Sequence, residues 1–269
     1  MTLDNSLADK FSHAATIYRQ HDVLQRLTAK HLQLRMQTAS EVKGRLVDIG
    51  SGPGTDFSDF AFLSSICAVD IAQGMLAQVQ TDFPHYQTLC SDVQTLAMQD
   101  HQADILYSNL ALQWCEQLSS AATHLYRVLK PQGQSFMSLV ADGSLTELSQ
   151  LGFNVNRFLT VEQIKQAFTA CETESISRWQ DFECELVAVT VYFDDLKQLL
   201  YSIKGVGASL VTDELCLELQ DEPMQSNYPA NTKFMTKSQW RERCQLAEKL
   251  REKQGIPLTY QVAFIYARK

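Results

Sequence analysis

Glycines at positions 50, 52 and 54, directly behind the apolar positions Leu46, Val47 and Ile49, make V-D-I-G-S-G-P-G the densest chemical signal in this 269-residue chain. A glycine turn leaving a buried strand lets the backbone come close to a ligand and present N–H groups at a helix start. Asp48 lies two residues before Gly50, at the strand end expected to face the ligand cleft. A carboxylate there repels a pyrophosphate and suits a cation, which points away from dinucleotides and towards the sulfonium and amino groups of S-adenosylmethionine.

Further acids follow at the spacing such a cleft requires. Asp70, 20 residues after Gly50, is expected to end the second strand and accept hydrogen bonds from both hydroxyls of an adenosine ribose. Asp92 follows a short third strand and has two readings: a partner for the adenine amino group with Val93 packed on the ring, or an N-cap for the turn over residues 93–98. Asn109 closes the fourth strand at the same cleft. Ser51, Ile71, Met75 and Leu110 flank these positions and complete the expected cofactor set.

The elements that must position these groups are an alternation of strands and helices. Strands are expected over residues 46–49, 66–70, 86–90, 104–108 and 134–140, with helices over 55–63, 72–80 and 119–129, the last stopped by Pro131 and Gly133. Such alternation implies right-handed crossovers and a parallel sheet whose ligands bind beyond the strands' carboxyl ends. Ahead of it, residues 9–40 carry helical periodicity in Leu24, Leu27, His31 and Leu34. The first half of this arm is rich in polar and aromatic groups, so Tyr18 and His21 are placed either towards a ligand or half-exposed on the domain edge.

Beyond residue 141 the alternation lapses, and specificity should reside there. Helices are expected over 142–150, 160–171, 194–202 and 237–253, and strands over 185–193 and 258–266. Residues 206–235 read as an exposed, mobile insertion: positions 206–222 hold five acids and no base, and prolines and Asn or Ser follow. The chain thus divides into a helical lid (1–42), a cofactor core (43–141), a specificity region (142–257) and a last strand (258–269) within one domain.

Composition excludes several classes. The net charge of −8 leaves no basic excess for nucleic acid. Seven cysteines at wide, irregular spacings read as reduced thiols, and six histidines without H-x-x-H or H-x-x-x-H spacing supply no metal motif. No run of 18 apolar residues occurs, and the start, M-T-L-D-N-S-L-A-D-K, lacks the signature of a signal peptide, so the cytoplasm is the expected location, without membrane partners.

The order D-x-G-x-G-x-G, Asp70, Asp92 with Leu96, Asn109 and then Y-R-V-L-K-P-Q-G at 126–133 resembles the class I S-adenosylmethionine-dependent methyltransferases. That resemblance implies a Rossmann-like α/β fold: a seven-stranded, mostly parallel sheet with an antiparallel last strand. S-N-L-A-L-Q-W-C (108–115), G-S-L-T-E-L (143–148), N-R-F-L (156–159), K-G-V-G-A (204–208) and M-T-K-S-Q-W (235–240) are similar to one branch, the malonyl-acyl-carrier-protein O-methyltransferases of biotin synthesis. The likeness runs from about residue 11 to the C-terminus; the segment after Ser209 and residues 172–193 depart from it.

The resemblance implies methylation of the free carboxylate of a malonyl thioester on acyl carrier protein, with a coenzyme A thioester as the other conceivable form. An ionised carboxylate needs no general base, so no acid–base residue is assigned. Arg157 in N-V-N-R-F-L is the expected grip on that carboxylate, because a guanidinium fork can engage both oxygens. Lys204 is a second cation, with Tyr18, His21, Asn109 and Trp114 completing the substrate set. For docking an acidic carrier, the last helix offers Lys237, Arg241, Lys249 and Lys253 opposite Trp240, Cys244, Ala247 and Leu250, although Glu242, Glu248 and Glu252 share the polar side. Rival readings are a methyltransferase for another acid or a quinone carbon, in which His21 or His13 would serve as base, a non-catalytic adenosine-nucleotide-binding domain, and a nicotinamide oxidoreductase.

Overall fold

Seven strands form one sheet in the order β3-β2-β1-β4-β5-β7-β6 in a computed structural model that describes residues 5–15, 17–39, 43–169, 179–206 and 235–269. The strands are β1 (Gly44–Ile49), β2 (Leu63–Asp70), β3 (Gln87–Cys90), β4 (Ala103–Asn109), β5 (Leu129–Ala141), β6 (Asp181–Phe193) and β7 (Ile256–Arg268). Parallel pairing joins β1 to β4 in register Val47↔Leu106, and β7 runs antiparallel between β5 and β6. The expected fold, with its antiparallel last strand, is therefore the observed one. Strands 44–49 and 103–109 are apolar on both faces because helices cover both, as a parallel sheet requires.

One face packs against α4 (Leu118–Val128) and α6 (Val161–Thr169), with Leu106, Leu125, Met137 and Phe168 in a shared cluster. The other face is covered by α2 (Val23–Thr38), whose Leu24, Leu32 and Met36 meet Leu46, Tyr107 and Phe264. A third cluster joins α5 (Thr146–Gln150), α7 (Leu196–Lys204) and α8 (Lys237–Lys249) near the start of β7. In α8, Trp240, Cys244, Ala247 and Leu250 face that cluster and Lys237, Arg241 and Lys249 are exposed, as the helical wheel requires. No helix among the described residues is long and apolar enough to cross a membrane.

Three expectations differ. Residues 55–63 form no helix: the Asp56 carboxylate accepts from Ser58 N at 2.8 Å and the Tyr86 hydroxyl accepts from Phe57 N at 3.1 Å, so side chains satisfy the N–H groups that a helix would have used. The arm is not continuous but divides into α1 (Asn5–Ala14), a short 3-10 turn (Tyr18–Gln20) and α2, which bends it across the sheet's carboxyl edge. The helix expected over 142–150 is confined to α5, preceded by the left-handed Leu145 (φ 62°). Most of the insertion expected at 206–235 lies outside the described residues.

Candidate active site

Between β1 and β4 the strand order reverses, which places a crevice beyond their carboxyl ends. Three glycines shape its rim, with φ of +64° at Gly50, +54° at Gly52 and +93° at Gly54, values that favour glycine. A methyl group at Gly50 would come within 2.1 Å of the Ala111 Cβ, so the loop after β1 lies directly against the loop after β4. Gly54 serves packing instead, since a Cβ there would meet the Phe83 ring at 2.9 Å.

The crevice is a cavity of about 760 Å³, ample for a nucleoside-sized ligand. Gly50, Gly52, Asp70, Ile71 and Met75 of the expected cofactor set line it, as do Asp92, Val93, Asn109 and Leu110. Asp48, Ser51 and Gly54 do not. Asp48 differs from its expected aspect: strand alternation turns its side chain beneath the loop, buried at 2% exposure, where it meets the Thr55 hydroxyl. Burial, with the Asp70 charge nearby, pushes the Asp48 carboxyl up to about 8, and Thr55 only partly offsets this.

Asp70 at the end of β2 braces the site while facing the cavity. Its Oδ2 accepts from Gly52 N at 2.9 Å and its Oδ1 from Ala72 N at 2.8 Å, tying the glycine loop to the start of α3 (Gln73–Asp82). Burial raises its pKa against those backbone bonds, and each oxygen retains a lone pair for a ligand hydroxyl. The Asp70 carboxylate in the cavity wall, with Asp92 in the same wall, disfavours a pyrophosphate there. Asp92 combines its two readings in part: its Oδ1 accepts from Gln94 N at 2.8 Å as an N-cap, and the residue lines the cavity.

Asn109 lines the cavity, but its amide is engaged. Its Nδ2 donates to the Gln25 carbonyl at 2.9 Å and its Oδ1 accepts from the Ser138 hydroxyl at 2.8 Å. It therefore fastens α2 to the ends of β4 and β5 rather than offering its side chain to a ligand.

A second, narrower chamber of about 80 Å³ adjoins the first. Phe11, Tyr18, Leu110 and Trp114 wall both, and the Phe11 and Trp114 rings meet edge to face at 5.7 Å. The Tyr18 hydroxyl lies 3.8 Å from where a Gly52 Cβ would stand, so the arm hangs over the glycine loop. Burial, and then Asp22, Asp70 and Asp48, hold the Tyr18 phenol well above its ordinary pKa. His21 lines the second chamber, together with apolar groups such as Val191 and Ile203 and the neutral polar Gln25, Gln113, Asn156 and Ser202.

Among the described residues, no lysine or arginine lines either chamber. Arg157 and Lys204 are exposed and stand outside the wall they were expected to join, although Asn156, Phe158 and Ile203 beside them belong to it. His13 is exposed and bonded to the Asp9 carbonyl, away from both chambers. Sequence reasoning missed Phe11, Gln25 and Gln113. The helical spacing of Leu7 and Phe11 was the available signal for an apolar face, and both line the large cavity.

A methyltransferase-domain model matches residues 47–137, from β1 into β5. The malonyl-[acyl-carrier protein] O-methyltransferase of Erwinia billingiae is 35% identical over 213 residues, covering 76% of this chain and 80% of that protein. The chain belongs to this methyltransferase family. The enzyme of the same name from Marinomonas sp. is 28% identical over 279 residues, covering all of this methyltransferase and 95% of its relative. Two solved structures share the fold: the YcgJ protein of Bacillus subtilis (TM-score 0.58, 15% identity, 90% of this chain and 98% of that one) and a Haemonchus contortus phosphoethanolamine N-methyltransferase in complex with S-adenosyl-L-methionine (TM-score 0.55, 16% identity, 96% and 57%). S-adenosyl-L-methionine is the methyltransferase's cofactor, and the glycine cradle with the Asp70 carboxyl in the cavity wall fits its ribose hydroxyls.

Proposed function

We propose that this methyltransferase esterifies the free carboxylate of a malonyl thioester carried on acyl carrier protein, in biotin synthesis and in the cytoplasm. The observation that carries this reading is the pair of chambers sharing Phe11, Tyr18, Leu110 and Trp114, the second of them apolar and free of lysine and arginine among the described residues. Such a chamber suits a slender acyl thioester, and relatives bearing that activity in their names span the whole chain or most of it.

When bound, S-adenosylmethionine supplies a methyl group on a sulfonium. The chain's part is to align the acceptor and exclude water. A carboxyl with a pKa of about 4 is already ionised at neutral pH, so no residue need take a proton. Burial keeps the Tyr18 and Tyr260 hydroxyls protonated in the chamber wall, where they can donate to an anion but not deprotonate it. Holding the reacting atoms in line can supply roughly 7–11 kcal/mol of the barrier reduction.

Arg157 is the one cation among the described residues flanked on both sides by wall residues, Asn156 and Phe158. Turning inward between them, its guanidinium would engage the carboxylate through two hydrogen bonds. The test is methyl transfer from S-adenosylmethionine to malonyl-carrier protein, malonyl-coenzyme A and acetyl-carrier protein. A methyl ester should form on the malonyl substrates alone; equal transfer to an acceptor without the carboxylate would refute the assignment.

A further inference from the structure

The second chamber is held shut by a contact for which one residue type is suited. His21, on the turn between α1 and α2, packs its ring against Gly205 just beyond the C-terminus of α7: a Cβ on Gly205 would lie 2.1 Å from His21 Cδ2 and 2.3 Å from Cγ. Gly205 has an ordinary helical φ of −67°, so its backbone accepts any L-residue, and it is the His21 side chain, with its Cβ also only 2.7 Å away, that excludes a Cβ there. The His21 and Tyr201 rings stack at 6.4 Å along the same helix end, and Val206 after the glycine lines the chamber with His21. The arm is seated a second time at Gly74, where a Cβ would lie 2.9 Å from Ser12 backbone and whose N–H donates to the Ser12 hydroxyl at 3.3 Å.

With the arm seated, the second chamber retains only about 80 Å³ against about 760 Å³ in its neighbour. Room for the acyl end of a thioester would then be made by the arm leaving its seat. We propose that His21 and Gly205 form a latch: His21 leaves Gly205 to admit the acceptor end and returns to wall it off from solvent, with Gly205 the positioning residue that lets the ring close. This inference rests on the proposed carboxyl methylation for its kinetic readout but not for its structural one.

Gly205→Ala, His21→Gly and the double variant test it by hydrogen exchange over residues 17–26 and by kcat and KM for malonyl thioester. In Gly205→Ala the arm should exchange at least tenfold faster and kcat should fall at least tenfold, with exchange in β1 and β4 unchanged. The double variant should match His21→Gly alone, because no side chain then remains at position 21 to meet the added methyl. The latch is overturned if Gly205→Ala leaves arm exchange at the parental rate, or if the double variant shows the two single losses summed. Should Gly205→Ala fail to fold, the double variant alone decides: matching His21→Gly supports the latch, and failing to fold as well refutes it. A parent that turns over no malonyl thioester defeats the proposed function and leaves the exchange test intact.

Discussion

The Asn109 side-chain amide donates to the Gln25 backbone carbonyl across 2.9 Å, joining the end of a central strand to the helix that roofs it. Because its oxygen also accepts from Ser138, Asn109 is satisfied on both sides by the protein itself. Asn109→Ala should therefore loosen α2 and lower stability by about 1–2 kcal/mol. Asn109→Asp should be worse, since a carboxylate cannot donate and would face the Gln25 carbonyl. Denaturant unfolding of both variants checks this, and equal stability to the parent would remove the anchoring role.

Asp70 spends one lone pair of each oxygen on Gly52 and Ala72, leaving the others available to a ligand hydroxyl. Asp70→Ala should weaken S-adenosylmethionine binding by roughly 1.5–3 kcal/mol, the magnitude of a lost charge-assisted hydrogen bond, together with some loss of stability as the loop detaches. Calorimetric titration of the folded variant measures it; an unchanged dissociation constant would sink the assignment.

Asp48 makes the ligand-free protein sensitive to pH. Its folded pKa of about 8 stands above the ordinary 3.8, so the folded state holds this proton more tightly than the unfolded chain. The stabilisation is complete below about pH 4 and is lost as pH rises towards 8, at up to about 1.4 kcal/mol per pH unit. Unfolding free energies between pH 5 and 8 should fall with pH, and Asp48→Asn should flatten the profile. Saturating S-adenosylmethionine, by favouring the ionised carboxylate, should flatten it too.

The cofactor half of the site was legible because its signals are local. Glycine spacing and strand-end acids are set by the geometry of a single strand–turn unit, and Gly50, Gly52 and Asp70 occupy the expected places. Asp48 was misplaced in aspect, since strand alternation decides its face and its partner Thr55 lies within a segment wrongly expected to be helical. The acceptor half was legible only in part: Tyr18, His21 and Trp114 of the expected substrate set line the second chamber, but Phe11, Gln25, Val191 and Tyr260 join them from segments up to about 250 residues apart, through the sheet order and not through any spacing.

Arg157 tests the acceptor half directly. Arg157→Ala should reduce kcat/KM for malonyl thioester by about 10², or roughly 3 kcal/mol, with cofactor affinity nearly unchanged. Arg157→Lys should restore little, because a point charge lacks the paired geometry. Activity within threefold of the parent would show that neutral donors suffice.

Removing residues 1–22 deletes Phe11, Tyr18 and His21 from the chamber walls while leaving every strand of the sheet. Turnover should vanish with the circular dichroism of the core retained; a truncated protein with near-normal activity would reduce the arm to packing.

Phe11 and Tyr18 form a party wall, facing the donor on one side and the acceptor on the other. One partition therefore serves two rooms, and their occupancies should be coupled. A donor bound first would set the partition for the acceptor, and the spent donor should leave only after the methylated product. Initial-rate patterns should accordingly be those of a compulsory sequence, with the demethylated donor competing against fresh donor and the ester inhibiting in a mixed manner.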